Sequence, residues 1–146
     1  MSHTPRYDHA SYLEKVIRKE NLKDTLKRAL HELRPRANDF DAIAFRGMSG
    51  ALLAPILALA LNKTIIVVRK ERSVNDHSDR VCEGDQATAR YIIVDDCASS
   101  GRTIKTVYAE IKKWNPTATC IGLYFYEDGG WSTYRLLTID NPEPWT

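Results

Sequence analysis

Cysteine is sparse in this chain and poorly placed for cross-linking. The three residues, Cys82, Cys97 and Cys120, are an odd number without C-x-x-C spacing, which argues against both a disulfide framework and a zinc site. A reducing cytoplasm is therefore the expected location. Long apolar runs are also lacking. The opening MSHTPRYDHA holds no apolar signal region, and the longest apolar run, residues 51–61, falls far short of the ~20 residues that a membrane span needs. That run is expected to be a core helix, with no membrane as partner. Nor is there a surplus of charge of one sign: the formal net charge of +2 predicts no strong affinity for nucleic acid or membranes. Internal repeats and low-complexity tracts are missing too, so the chain is read as a single domain, 1–146. A chain of 146 residues buries roughly two thirds of its unfolded surface and needs no staples.

What charge there is lies unevenly. Residues 1–38 hold nine Lys or Arg against five Asp or Glu, net +4, so the remainder is net −2. The excess falls on an expected amphipathic helix over residues 11–33, where Leu13, Val16, Ile17, Leu22, Leu26, Leu30 and Leu33 recur at mostly three- and four-residue intervals. Such a stripe is read as a solvated face in preference to a nucleic-acid patch. Asn21 could divide the helix, and Pro35 ends it. A polar turn at Ala37, Asn38 and Asp39 leads to a first strand over 41–45. Arg46, Gly47, Met48, Ser49 and Gly50 then form a strand-to-helix turn before the apolar helix 51–61, in which Pro55 sits awkwardly for an early boundary.

Residues 64–68 are a β-branched strand without alternation, expected to be buried on both faces as in a parallel sheet. The polar segment from about 70 to 90 is too long for a compact connector and reads as a lid. Closure of residues 73–87 would bring Arg72, His77 or Arg80 to a ligand. A central strand (91–94), a helix (102–114), a further strand (119–126) and a turn at 127–130 follow, with 131–139 a last strand or a cap. The β-α-β-loop-β-α-β order specifies a parallel, doubly wound sheet whose ligands belong at the carboxyl ends of its strands.

The most informative stretch is residues 91–103, YIIVDDCASSGRT. A buried strand delivers two adjacent carboxylates, Asp95 and Asp96, and then a turn almost without side-chain bulk opens a helix. This is a way to set an anion site beside a hydroxyl or cation site. Taken alone, paired Asp residues after a strand would equally serve as a helix cap and turn former. Cys97 reads as a small loop residue, His77 as a solvated loop histidine, and Lys70 equally as a surface lysine ending a strand.

IIVDDCASSGRT resembles the phosphoribosyl-pyrophosphate motif of the type I phosphoribosyltransferases, and FRGMSGALLAPILAL, residues 45–59, is similar to that family's pyrophosphate loop and following helix. The likeness runs from about 41 to 126, roughly 60% of the chain. It implies an α/β fold with a doubly wound, mainly parallel sheet flanked by helices, and a small hood from one or both terminal segments. It also implies roles. Ala98, Ser99, Ser100, Gly101, Arg102 and Thr103 would cradle the 5′-phosphate, and Arg46, Gly47, Met48 and Ser49 the pyrophosphate, in a turn that often carries a strained or cis peptide. Asp95, Asp96 and Lys70 would be the catalytic set, with Mg²⁺ held by Asp95 and Asp96 through the ribose hydroxyls. Tyr126 and Trp131 are candidates for the base, the latter with Tyr134 and Trp145 as a candidate aromatic hood or, equally, as core or dimer packing.

The reaction implied is displacement of pyrophosphate from phosphoribosyl pyrophosphate by a nucleobase nitrogen, in a homodimer. Two departures bear on the base. Ser99 stands where 6-oxopurine enzymes place an Asp, and Tyr126 or Glu127 where they place a Lys, which points to adenine, orotate, uracil or a rarer acceptor. The alternative is a regulator of the same fold that senses the nucleotide and does no catalysis, since the S-G-R-T ending also occurs in such proteins.

Overall fold

Uninterrupted apolar runs that end in Gly, Asn or Asp dictate a sheet buried on both faces, and that is the architecture found. The computed structural model describes residues 18–70, 81–97 and 101–133. Helix α1, Lys19–Leu33, passes through Asn21 unbroken and turns Thr25, Ala29 and Leu33 inward; the expected start at residue 11 lies outside the described residues. Pro35 converts its end into the 3₁₀ helix Arg34–Asp39. Strand β1, Ala42–Arg46, is followed at once by a five-residue helix α2, Gly47–Ala51, and then by α3, Ala54–Leu61. The expected single helix 51–61 is therefore two pieces with a break at Leu52 and Leu53. The break moves Pro55 into a first turn, where it displaces no hydrogen bond.

Strands β2 (Thr64–Val68), β3 (Cys82–Glu83), β4 (Arg90–Asp95), β5 (Thr119–Phe125) and β6 (Gly130–Ser132), with helix α4 (Arg102–Trp114) before β5, complete the described elements. The sheet order is β3-β2-β1-β4-β5-β6. The inner four strands are parallel, and β3 and β6 are antiparallel edges. Helices α1 and α3 cover one face, over Ile43, Phe45, Ile92 and Val94. Helix α4 covers the other, with Ile104, Val107 and Ile111 against Ala44, Ile66, Tyr91 and Ile93. Each such fully buried Ile contributes roughly 1.5–3 kcal/mol.

Two expectations are corrected here. In β2 only Ile66 and Val68 are buried, while Ile65 and Val67 are half-buried, because the strand lies one place from the sheet edge. The segment 81–90 is not the expected unpaired polar loop. Cys82 pairs with Val68 and Glu83 with Val67, Arg69 N donates to Val81 O at 2.7 Å, and the Arg69 and Glu83 side chains form an ion pair at 3.3 Å. Further on, Asn115 Nδ2 donates to Gln86 O (3.1 Å) and Thr88 O (3.2 Å). The polar surroundings hid an apolar Val81-Cys82 pair that is sufficient for a short edge strand.

At the amino end of the sheet Asp41 acts as a staple. Its carboxylate accepts from Ala89 N (3.0 Å) and Arg90 N (2.9 Å), its N–H donates to Arg90 O (2.8 Å), and its carbonyl accepts from Thr64 N (3.3 Å). These bonds hold its carboxyl below the usual carboxylate range, the bond from Arg90 N first. Among the described residues no helix is long and apolar enough to cross a membrane.

Candidate functional site

The chain winds outward from β1 to β2 and in the opposite sense from β4 to β5, so the sheet reverses between β1 and β4. In parallel sheets this reversal opens a crevice beyond the carboxyl ends of the two strands. Here those ends carry Arg46 and Asp95, and each leads directly into one of the two small-residue turns singled out above.

On the β1 side, Arg46 is extended and Gly47 takes φ 77°, a left-handed conformation that glycine adopts without strain. The described residues contain no cis peptide bond; the tight reversal rests on Gly47. The first N–H groups of α2, from Gly47 to Ser49, have no carbonyl one turn back to bond within the helix. Lys70 arrives from the end of β2. Its ammonium lies over Gly47, where a β-carbon would stand 2.7 Å from Lys70 Cε and 3.3 Å from Nζ. Arg46 Nη2 donates to Lys70 O at 3.0 Å, and Arg46 Nε is buried with no hydrogen-bond partner among the described residues. Met48 is 66% exposed.

On the β4 side, Asp95 is 6% exposed. Burial, reinforced by the charge of Asp96, pushes its carboxyl up to about 7, while Lys70 pulls the other way. Asp96 is half-buried, and its Oδ1 accepts from Cys97 N at 2.8 Å. It caps no helix: the N-cap residue of α4 is Gly101, φ 75°, and no side chain bonds there as a cap. This decides against the capping role that two aspartates in this position could have had. Gly101 is buried and Thr103 half-buried, and the Arg102 side chain is exposed. Ala98, Ser99 and Ser100 lie outside the described residues, as do Arg72, His77 and Arg80, and Tyr134 and Trp145.

The structure thus brings together Arg46, Gly47, Met48, Ser49, Lys70, Asp95 and Asp96 at one crevice, with Gly101, Arg102 and Thr103 opening the helix that follows the carboxylates. The two base candidates are placed differently. Tyr126 is 3% exposed; its N–H donates to Asp95 O (3.1 Å) and its hydroxyl to Ser49 O (2.8 Å). Trp131 packs flat over Gly122, where a β-carbon would meet its ring at 2.0 Å, and the Arg36 guanidinium stands 4.9 Å from its centroid.

A feature that the sequence pattern did not single out is a cleft of about 580 Å³ between α1 and the end of β5. Lys27, Arg28, His31 and Glu32 line one wall, and Tyr124, Tyr126, Glu127 and Asp128 the other. Because Glu127 N donates to Asp96 O at 2.9 Å, this cleft adjoins the carboxylate pair. Among the described residues no three His, Cys, Asp or Glu converge to hold a metal. Cys82 is a buried core thiol and Cys120 a half-buried one packed against the core; both are pushed up to about 12 chiefly by desolvation, which keeps them in the unreactive thiol form.

No protein-family model matches the chain. A curated orotate phosphoribosyltransferase of Methanospirillum hungatei is 33% identical over 76 residues, 52% of this chain and 44% of that protein, so the match spans less than half of that relative. The crystal structure of an orotate phosphoribosyltransferase from Aeropyrum pernix superposes with a TM-score of 0.60 at 21% identity, covering 81% of this chain and 63% of that one. An adenine phosphoribosyltransferase from Thermoanaerobacter pseudethanolicus gives 0.55 at 20% identity, over 75% and 72%. At these identities the two superpositions establish a shared fold.

Proposed function

We propose that this chain, which shares the fold of orotate and adenine phosphoribosyltransferases and core sequence with one of them, belongs to the type I phosphoribosyltransferase family and transfers ribose 5-phosphate from phosphoribosyl pyrophosphate to a nucleobase. In this reading it works in the cytoplasm as a homodimer. The observation that carries the reading is the convergence of Asp95 and Asp96 with Gly47 and Lys70 on one switch-point crevice. The C1–O bond to pyrophosphate breaks, a base nitrogen bonds to C1, and the proton of that nitrogen leaves to solvent.

Each residue then has a task. The turn after Asp96 and the start of α4 hold the 5′-phosphate, favoured by the helix dipole by ~0.3–1 kcal/mol. Asp95 and Asp96 meet the 2′- and 3′-hydroxyls. The N–H groups following Arg46, with the Lys70 ammonium, take the negative charge that grows on the leaving pyrophosphate, which is where charge stabilisation lowers the barrier. Positioning contributes the rest. Two adjacent carboxylates with hard oxygens, and no third converging ligand among the described residues, fit Mg²⁺, an ion that takes few protein ligands. Bound there through Asp95 and Asp96, the ion would neutralise pyrophosphate charge. The cleft beside α1 receives the acceptor base, with adenine, orotate, uracil or a rarer acceptor ahead of the 6-oxopurines, because Ser99 and Tyr126 or Glu127 stand where the enzymes for those purines place an Asp and a Lys.

The test is to incubate the protein with phosphoribosyl pyrophosphate, Mg²⁺ and single bases, and to follow pyrophosphate release. Release with orotate or adenine is expected. No release with any base, combined with a clear rise in melting temperature on adding phosphoribosyl pyrophosphate, would replace the enzyme with a nucleotide-sensing regulator.

A further inference from the structure

We infer that Tyr126 is a positioning residue that fixes the aim of the leaving-group turn. The inference rests on the sugar-phosphate reading above. Helix α2 is too short to hold its own direction. Its last carbonyls should accept from the next turn, yet Leu53 N bonds Gly50 O at 3.3 Å, not Ser49 O, because the chain breaks there before α3. Ser49 O is met instead by the Tyr126 hydroxyl at 2.8 Å, across 77 residues of sequence.

The reach of that bond gives it a role beyond closure of a core. Tyr126 follows β5, and β4 lies between β5 and β1 in the sheet. The side chain therefore crosses under the end of the strand that carries Asp95 and ties the turn after β1 to it, while its own N–H is bonded to Asp95 O. A second tether sits one residue on, where a β-carbon on Gly50 would stand 2.7 Å from Phe45 Cβ and 3.3 Å from Val94 O. Gly50 sets how close α2 comes to the sheet, and Tyr126 sets its rotation. Tyr126 is also among the residues that line the α1 cleft, so one residue adjoins both the proposed acceptor side and the leaving-group side of the crevice.

The test uses the full chain and Tyr126→Phe, which keeps the ring and removes one hydroxyl. Calorimetric titrations with two probes, pyrophosphate with Mg²⁺ and ribose 5-phosphate, report the two halves of the site separately. Loss of one hydrogen bond should weaken pyrophosphate binding by roughly three- to tenfold, with ribose 5-phosphate affinity unchanged within about twofold. A tyrosine that merely completes a core would lower both affinities together with the melting temperature, or neither affinity, and either result overturns the inference. If the unaltered chain binds neither probe, the sugar-phosphate reading itself fails and the inference falls with it.

Discussion

The Lys70 side chain lies across Gly47 so closely that a single methyl on Gly47 would stand 2.7 Å from Lys70 Cε. Gly47 also holds φ 77°, so Gly47→Ala meets a backbone penalty and a steric one at once. The variant should lose about 1–2 kcal/mol of stability. By displacing Lys70 it should weaken pyrophosphate binding about tenfold. Chemical denaturation and calorimetry measure the two; an alanine variant with native pyrophosphate affinity would remove Lys70 from the site.

Asp95→Asn with Asp96→Asn should abolish measurable binding of phosphoribosyl pyrophosphate and leave the circular dichroism spectrum native. The two carboxylates cap no helix, and their replacement opens no cavity. Unchanged affinity in the double variant would mean that the sugar lies elsewhere.

Asp95 also makes stability depend on pH. Its folded carboxyl titrates at about 7, above the ~3.9 of an unfolded Asp, so the native state holds a proton that the unfolded chain has released. The resulting stabilisation is complete at and below about pH 4 and is lost as pH rises through 7, by up to ~1.4 kcal/mol per pH unit. Asp41, shifted downward, acts only in acid. Melting between pH 8 and pH 6 should therefore show a rise on acidification, by about 1 kcal/mol, and Asp95→Asn should flatten it. An equal rise in the variant would assign the effect to another group.

Asn115 is 6% exposed and holds Gln86 and Thr88 while accepting from Thr117 N and Oγ1. Asn115→Ala leaves several buried groups without partners and should cost about 1–3 kcal/mol. The cost should appear first as faster amide exchange at residues 86–89, because those carbonyls anchor the return to β4. Unaltered exchange there would show that the anchor is dispensable.

Much of this was legible in the residues themselves. Ile92, Ile93 and Val94 announce a strand buried on both faces, and α4 falls on Arg102–Trp114 because Ile104, Val107 and Ile111 share one helical face and Asn115 closes it. The parts that escaped depend on contacts distant in sequence. Nothing local to Val81 and Cys82 says that Val67 and Val68 offer a free edge. Nothing local to Tyr126 says that Ser49 lacks a helical partner, and its aromatic ring at a strand end suggested a base contact. The α1 cleft required knowing which face of α1 meets β5. Its only sequence signal was the alternation of Tyr124 and Tyr126 onto one side of that strand.

Asp41 stands at the opposite end of the sheet from the crevice, and it joins parts of the chain that are far apart in sequence. Its carboxylate seals a pairing between residues 49 apart, so the β1–β4 ladder closes a long loop before any later contact can offset the entropy. Once that end is stapled, the register Ala42 to Tyr91 is set, and the two strands run in step to Arg46 and Asp95. The spacing of the two turns beyond Arg46 and Asp95 thus depends on a side chain at the far end of the sheet. Closure of so non-local a pairing is expected to be slow, so in refolding the recovery of phosphoribosyl pyrophosphate binding should trail the recovery of helix.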